Sequence, residues 1–399
     1  MKNAIEAEGV VSKIISPVDG HYFFGYYDLQ PFDSTGRYHL CHRVEFEDRI
    51  PEPDDKCTVG MIDLSNNQFI PFGETTAWNF QQGAMLQWFM DDNHVIYNIR
   101  QDNKFKSCVQ NIITGEKRIL PMAIANLSKD CKKAVCVNFS RIYDFRPGYG
   151  YSGIPDPFAD VMAPDNDGIY IMDTITGSCR LVVTYDTIRK QFPKLPYSEE
   201  KLLVNHITFN PSGDKYVFLL RNFPGNGSKW TTLLLVGDDK GNLHQMAEYA
   251  THSHYHWKND NELLITSTRT LENKKLGLYL FNDETGAYTY YPDPDPDARL
   301  KDIHCLYSPN RRFISGDGYP HPDGYRWIHF INMENNKDII LGKYYSYFSG
   351  REDLEYRCDL HARFDLTGRY LSFDSNHIGN RCVCLIDLSK IEDYWEQGE

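Results

Sequence analysis

No stretch of the chain approaches the ~18 consecutive apolar residues that a membrane-crossing helix needs. Met1–Ile15 also lacks the apolar core of a secretory signal. Blocks of Lys and Arg are missing: 42 basic residues face 55 acidic ones, a net charge of −13. That balance argues against nucleic acid and anionic membranes as partners. The ten cysteines never fall at Cys-x-x-Cys spacing, so a thiolate zinc site is not expected. Cys131, Cys136, Cys382 and Cys384 sit inside apolar alternations, the pattern of reduced, buried thiols and of a cytoplasmic chain. There is no Gly-x-Ser-x-Gly elbow, no phosphate-binding loop, no His-Glu-x-x-His and no Gly-x-Gly-x-x-Gly opening a helix, so those catalytic classes drop out.

What is present is aromatic and repetitive. Tyr, Phe and Trp number 27, 22 and 6, or 14% of the chain, which favours strands. With 41% hydrophobic and 24% charged residues a large core is available and wholesale disorder is excluded. At about 150 residues per domain, 399 residues would make two or three domains unless a repeat absorbs them. A repeat does. An aromatic residue, a polar turn and an alternating apolar strand recur from Phe32, Trp88, Phe209, Trp257, Tyr307 and Phe364, with a degenerate copy at Asn126. The anchors are spaced 56, 38, 83, 48, 50 and 57 residues apart, which suits four-stranded propeller blades. Acidic or Thr-Gly turns close the units, as in Asp173-Thr-Ile-Thr-Gly177. The expectation is an all-β, seven-bladed β-propeller, one domain over residues 1–399. Its blades start near 27, 84, 122, 204, 252, 302 and 359, and the strand near Val10–Ile15 closes the last. A loop insertion is expected over 141–167 and a helical one over about 185–203. A two-sheet sandwich is the runner-up, but sandwiches do not repeat internally.

The register of the repeat aligns residues that sequence distance separates. Three residues before the anchors stand Leu29, Met85, Ala123, His206, His254, His304 and His361, expected at one mouth of the central channel. Near the ends of the second strands stand Arg43, Arg100, Arg141, Arg221 and Arg269. Together the two columns describe a pocket for a small anion with a divalent metal: Arg offers a planar fork to a carboxylate and neutral imidazole ligates metal. Arg221 and Arg269, with Arg141 or Arg43, are the expected carboxylate clamp. Long connections at the same mouth, including Arg141–Gly153 with Tyr149, are rich in Tyr, Gly and Pro and suit sugar rings. Trp78–Gly83 adds amides there, Gln82 among them. Asp317 and Asp374, after strands of the last two units, form an alternative glycosidase-like pair.

The units Asn205-His-Ile-Thr-Phe-Asn-Pro-Ser-Gly, Ser253-His-Tyr-His-Trp and Leu360-His-Ala-Arg-Phe-Asp-Leu-Thr-Gly-Arg, with Ser372-Phe-Asp-Ser-Asn-His-Ile-Gly, resemble the oligogalacturonate lyase family and its seven-bladed propellers of the TolB type. The resemblance spans nearly the whole chain. It implies a cytoplasmic carbon–oxygen lyase of pectin degradation that cleaves short acidic oligosaccharides by β-elimination with a divalent cation, Mn²⁺. It further implies metal ligation by His304 and His361 with His254 beside or within the site, and Arg221 and His206 next to the substrate. Asp359 lies two residues before His361 and faces the same side of the strand, so it can join a mixed N/O ligand set. His206, Arg221 and His254 are then the expected catalytic residues, and Arg43, Arg141, Tyr149, Arg269 and Gln82 the expected substrate contacts. A non-catalytic propeller that binds a sugar acid or a protein partner is the competing reading, because the scaffold is shared by many functions.

Overall fold

The computed structural model describes residues 4–193, 200–223, 231–270, 276–292, 302–346 and 354–391. Seven antiparallel sheets follow one another along the chain and make a seven-bladed β-propeller. The inner strands are His21–Phe23, Gln87–Phe89, Asn126–Leu127, Leu202–Phe209, His252–Trp257, Leu306–Tyr307 and Arg363–Phe364. Each sheet then runs outward in sequence order. The last blade takes its fourth strand, Ser12–Ile14, from the N-terminal segment, with Ile14 opposite Cys384. Ile5–Glu6 adds a fifth strand to blade six. All ten cysteines are free, and among the described residues no helix is long and apolar enough to cross a membrane.

The two faces differ because their turns differ. On one face the third and fourth strands of several blades are joined by the same device. Asn111, Asp173, Asn282 and Asn332 each accept two backbone N–H groups with the side chain, at 2.8 to 3.4 Å. The residue four further on, Gly115, Gly177, Gly286 or Asn336, then adopts the left-handed conformation that these residues tolerate best. The opposite face carries the long connections. Blade three sends out a helix, Phe139–Phe145, capped by Asn138. A second helix, Tyr185–Gln191, is capped by Thr184. The helical segment expected over 185–203 therefore ends at Gln191; residues 194–199 lie outside the described residues, and Leu202 already opens the inner strand of blade four.

Neighbouring blades are tied by buried polar groups near the ends of their second strands. His42 Nε2 accepts the Ala84 N–H (3.1 Å). Asn98 takes the N–H of Ile124 and donates to its carbonyl, both at 2.8 Å. Thr266 donates to the Ile303 carbonyl (3.3 Å). Asp317 accepts the N–H groups of Leu360 (2.9 Å) and His361 (2.8 Å). Asp374 closes the ring by accepting those of Phe24 (3.0 Å) and Gly25 (3.1 Å), and it pairs with the Arg363 guanidinium at 2.7 Å. Asp374→Ala would strand the charge of Arg363, which has no exposed surface, together with two backbone donors. We expect about 3–5 kcal/mol of lost stability in urea unfolding. Lys56→Ala, which breaks only the exposed pair with Glu74, should stay within ~0.5 kcal/mol.

Candidate metal and anion site

The four histidines of the repeat column reach one another through irregular backbone. His206 and His361 have φ of 48° and 46°, and the pairing register slips at Asn205/Ile207 and at His252/Tyr255, on either side of His206 and His254. Such bulges turn a side chain that would otherwise stand on a face of the sheet toward the axis. Ring centroids are 5.8 Å apart for His206 and His254, 3.9 Å for His254 and His304, and 4.5 Å for His304 and His361. Blade one contributes differently: its inner strand stops at Phe23, and the chain crosses the channel. Gly25 makes the crossing possible, with φ of 117° and so close a packing that a Cβ would lie 2.8 Å from the Gln82 carbonyl carbon. Tyr26 stacks on His206 and meets His361 edge-on, and Tyr27 touches His254, His304 and His361. The Tyr26 hydroxyl is hydrogen-bonded to His206 Nδ1, and Tyr27 OH donates to the Tyr255 carbonyl (2.8 Å).

Hydrogen bonds fix which nitrogens are available. His361 Nδ1 lies 2.7 Å from the Gly25 carbonyl and His304 Nδ1 3.1 Å from that of Asp317. A carbonyl only accepts, so both Nδ1 atoms carry a proton, and in the neutral form of each ring Nε2 presents a lone pair. These Nε2 atoms are buried and have no hydrogen-bond partner. One coordinating atom from each of His304, Asp359 and His361 lies within 4.8 Å of the other two. Two oriented imidazoles and a carboxylate fit a divalent cation of Mn²⁺ or Zn²⁺ character. His254 is not part of that three-residue set; its Nδ1 faces Asp302 Oδ1 at 2.9 Å.

Charge around the cluster is dense and partly compensated. Burial opposes protonation of His304, but Asp317, Asp359 and Asp302 outweigh it and move its pKa up. Burial, with His304 and Arg363, holds His361 well below the ordinary imidazole value. His206 is kept neutral by burial, with Arg221, His254 and Arg146 adding to the effect. Burial, reinforced by the charge of Arg146, lowers Arg221 to about 10, still cationic at neutral pH, and Asn205 Oδ1 holds its Nη1 at 2.7 Å. Asp359 lies between Arg326 Nη2 and Arg357 Nη2, each at 2.7 Å. Arg357 also donates to Tyr149 OH (3.3 Å), and the Tyr149 ring sits 5.3 Å from His206, with the Arg146 guanidinium 4.8 Å above the centre of the Tyr149 ring.

Several expected contacts stand elsewhere. Arg141 has no exposed side-chain surface; its guanidinium is consumed by Asp156 and by the carbonyls of Leu202, Phe158, Val161 and Met162, so it braces the loop and does not face a ligand. Arg43 pairs with Glu45 at 2.9 Å and packs under Gly20. Arg269 lies over Tyr288 on the outermost strand of blade five, and Arg100 pairs with Asp54. Of that column only Arg221 reaches the histidines. Gln82 lines a small cavity with Tyr26 and His206. Asp317 and Asp374 are inter-blade ties. Burial alone would raise Asp317, but His304 and other cations hold it at about 2, far from the raised value a glycosidase acid requires. Tyr26, Tyr27, Arg146, Arg326, Arg357 and Asp302 were not anticipated. Arg357 stands two residues before the anticipated Asp359 and four before His361, and that alternation is the one sequence signal that could have pointed to it.

No protein-family model and no curated protein matches the sequence. Solved structures do match. An oligogalacturonate lyase from Vibrio parahaemolyticus superposes with a TM-score of 0.67 at 14% identity, over 98% of this chain and 97% of that one. An oligogalacturonate lyase in complex with manganese gives 0.69 at 15% identity, with the same coverage. The fold is that of the oligogalacturonate lyases. The propeller domain of a trilobed protease from Pyrococcus furiosus matches at 0.50 and 12% identity, over 88% of this chain, so the architecture also serves other chemistry.

Below the histidines the channel narrows to Asp28, which lines both the cavity beside His206 and the wide opening on the opposite face. Its partner is Thr208 Oγ1 at 3.0 Å, and desolvation pushes its carboxyl up to about 6. A carboxyl raised in the folded state contributes stability that is complete below the ordinary carboxylate value and lost as pH rises through about 6. Asp28→Asn should therefore stabilise the protein above pH ~6, by about 3 kcal/mol at most, and make no difference below pH ~4, as read from thermal unfolding at several pH values.

Proposed function

We propose that this chain is a lyase that cleaves short uronic-acid oligosaccharides, oligogalacturonate or a related uronide, by metal-assisted β-elimination. The observation that carries the reading is the pair of buried, unpartnered Nε2 atoms of His304 and His361 beside Asp359, next to a neutral His206 and the cationic Arg221. Eliminating across C4–C5 of a uronide removes a weakly acidic proton alpha to a carboxylate, so the carboxylate must be neutralised while charge builds on it. Arg221 offers a two-pronged donor for that carboxylate from a desolvated position, where the interaction gains strength. His206, unprotonated at neutral pH, is the acceptor for the proton, and Tyr26 fixes its ring by stacking and by a hydrogen bond. His254 borders both groups, oriented by Asp302. Tyr149 and Arg146 stand where the sugar ring would rest. A divalent cation, Mn²⁺ in this reading, would be held by His304, His361 and Asp359 and would supply Lewis-acid stabilisation of the developing aci-carboxylate. The ten free cysteines fit action in the cytoplasm.

The clamp of Arg326 and Arg357 on Asp359 favours one second reading, a metal-free propeller that binds a sugar acid without turning it over. A panel of uronides with Mn²⁺ separates the two. Turnover yields an unsaturated product whose C4–C5 double bond, conjugated to the carboxylate, absorbs in the short-wavelength ultraviolet; saturable binding without that absorbance supports the second reading. For a substrate that is turned over, Arg221→Lys keeps the charge and loses the fork, so kcat/KM should fall by about 100-fold with an unchanged circular-dichroism spectrum. Undiminished kcat/KM would remove Arg221 from the mechanism. His304→Ala combined with His361→Ala should abolish Mn²⁺ uptake, measured by elemental analysis after desalting, in a protein that still folds. Equal metal content in wild type and double variant would show that the cation binds elsewhere.

A further inference from the structure

A second group of potential ligands lies outside the histidine column. One ring nitrogen of His377 and the Sγ atoms of Cys382 and Cys384 all lie within 4.8 Å of one another. The two cysteines occupy alternate positions of one strand in blade seven, so they share a face, and their sulfurs approach to 3.8 Å. His377 belongs to the turn between that strand and Tyr370–Ser375. Its ring is fixed by Ser375 Oγ at 2.8 Å from Nδ1 and by the edge of Tyr344 at 5.5 Å. Both thiols are fully buried, whereas His377 is half-buried and faces the rim. Desolvation lowers the pKa of His377, so its ring is neutral at neutral pH.

We propose that His377, Cys382 and Cys384 form a binding site for a thiophilic divalent cation, zinc in type. Two thiolates and one imidazole are a soft, three-residue donor set that leaves one position of a tetrahedral shell open. Binding displaces the two thiol protons to solvent, and the doubly charged cation with two thiolates has no net charge. A neutral group is what the apolar surroundings, Phe373, Tyr344 and Leu360, can accommodate. The missing Cys-x-x-Cys spacing does not exclude such a site: on a strand, i and i+2 present both sulfurs to the same point, which i and i+3 would not. The site shares no residue with His304, Asp359 and His361, so it is independent of the proposed lyase activity.

Co²⁺ is the probe, because thiolate ligation produces a near-ultraviolet charge-transfer band that imidazole and carboxylate ligation do not. Titration of the reduced, metal-stripped full chain should give that band, and Zn²⁺ should bleach it. The His304→Ala/His361→Ala variant should keep the band. Cys382→Ser with Cys384→Ser should lose it, and His377→Ala, which leaves both thiols and the core in place, should weaken Co²⁺ binding by at least about 10-fold. A folded wild type with no thiolate band overturns the proposal. So does a band that survives the double cysteine variant, or one that His377→Ala leaves unchanged.

Discussion

The arrangement depends on one recurring constraint: a buried polar side chain late in the second strand of one blade must satisfy the backbone where the next blade begins. In the interior these N–H and carbonyl groups have no water to turn to, so each tie is either made or costly. His42, Asn98, Asp317 and Asp374 make it with different chemistry at one register position. Two of the ties, Thr266 to Ile303 and Asp317 to His361, hold the backbone at a histidine of the column, so there the tie also fixes how the imidazole enters the channel.

Asp317 makes this coupling explicit. Its carboxylate receives two N–H groups of blade seven and faces His304 Nδ1 at 3.3 Å, while the carbonyl of the same residue also meets that nitrogen. One residue thus joins two blades and orients a candidate ligand. Asp359, by contrast, is held by two guanidinium groups that themselves have no exposed surface or almost none. The site is therefore a lattice of compensated charges and not an open acidic cage, with His206 and Arg221 at the edge where compensation is thinnest.

What the sequence disclosed follows from what a repeat can transmit. Anchors such as Phe209 and Trp257 fix the phase of the sheet, and phase is enough to align His206, His254, His304 and His361. It does not extend past the ends of the second strands. Arg43, Arg141, Arg221 and Arg269 occupy similar sequence offsets, yet only Arg221 turns inward, since loop conformation and local partners such as Asp156 and Glu45 decide the rest. Tyr26 and Tyr27 were invisible for the opposite reason. Their blade departs from the pattern at Gly25, so extending the repeat put Leu29 where two aromatic rings lie. The lyase structures share this fold at 14–15% identity.

The strand Ser12–Ile14 completes a sheet whose other members run from Arg363 to Asp387. Six sheets can assemble four consecutive strands from local hairpins, but the seventh must wait for the pairing of Ile14 with Cys384. Contacts of such separation form slowly, because a very long loop has to close before they return any energy. Until then Cys384 and Ile386 present an unpaired edge, the kind of surface on which chains pair with one another. The interval before that three-residue strand docks is when this sheet is most exposed to pairing with other chains.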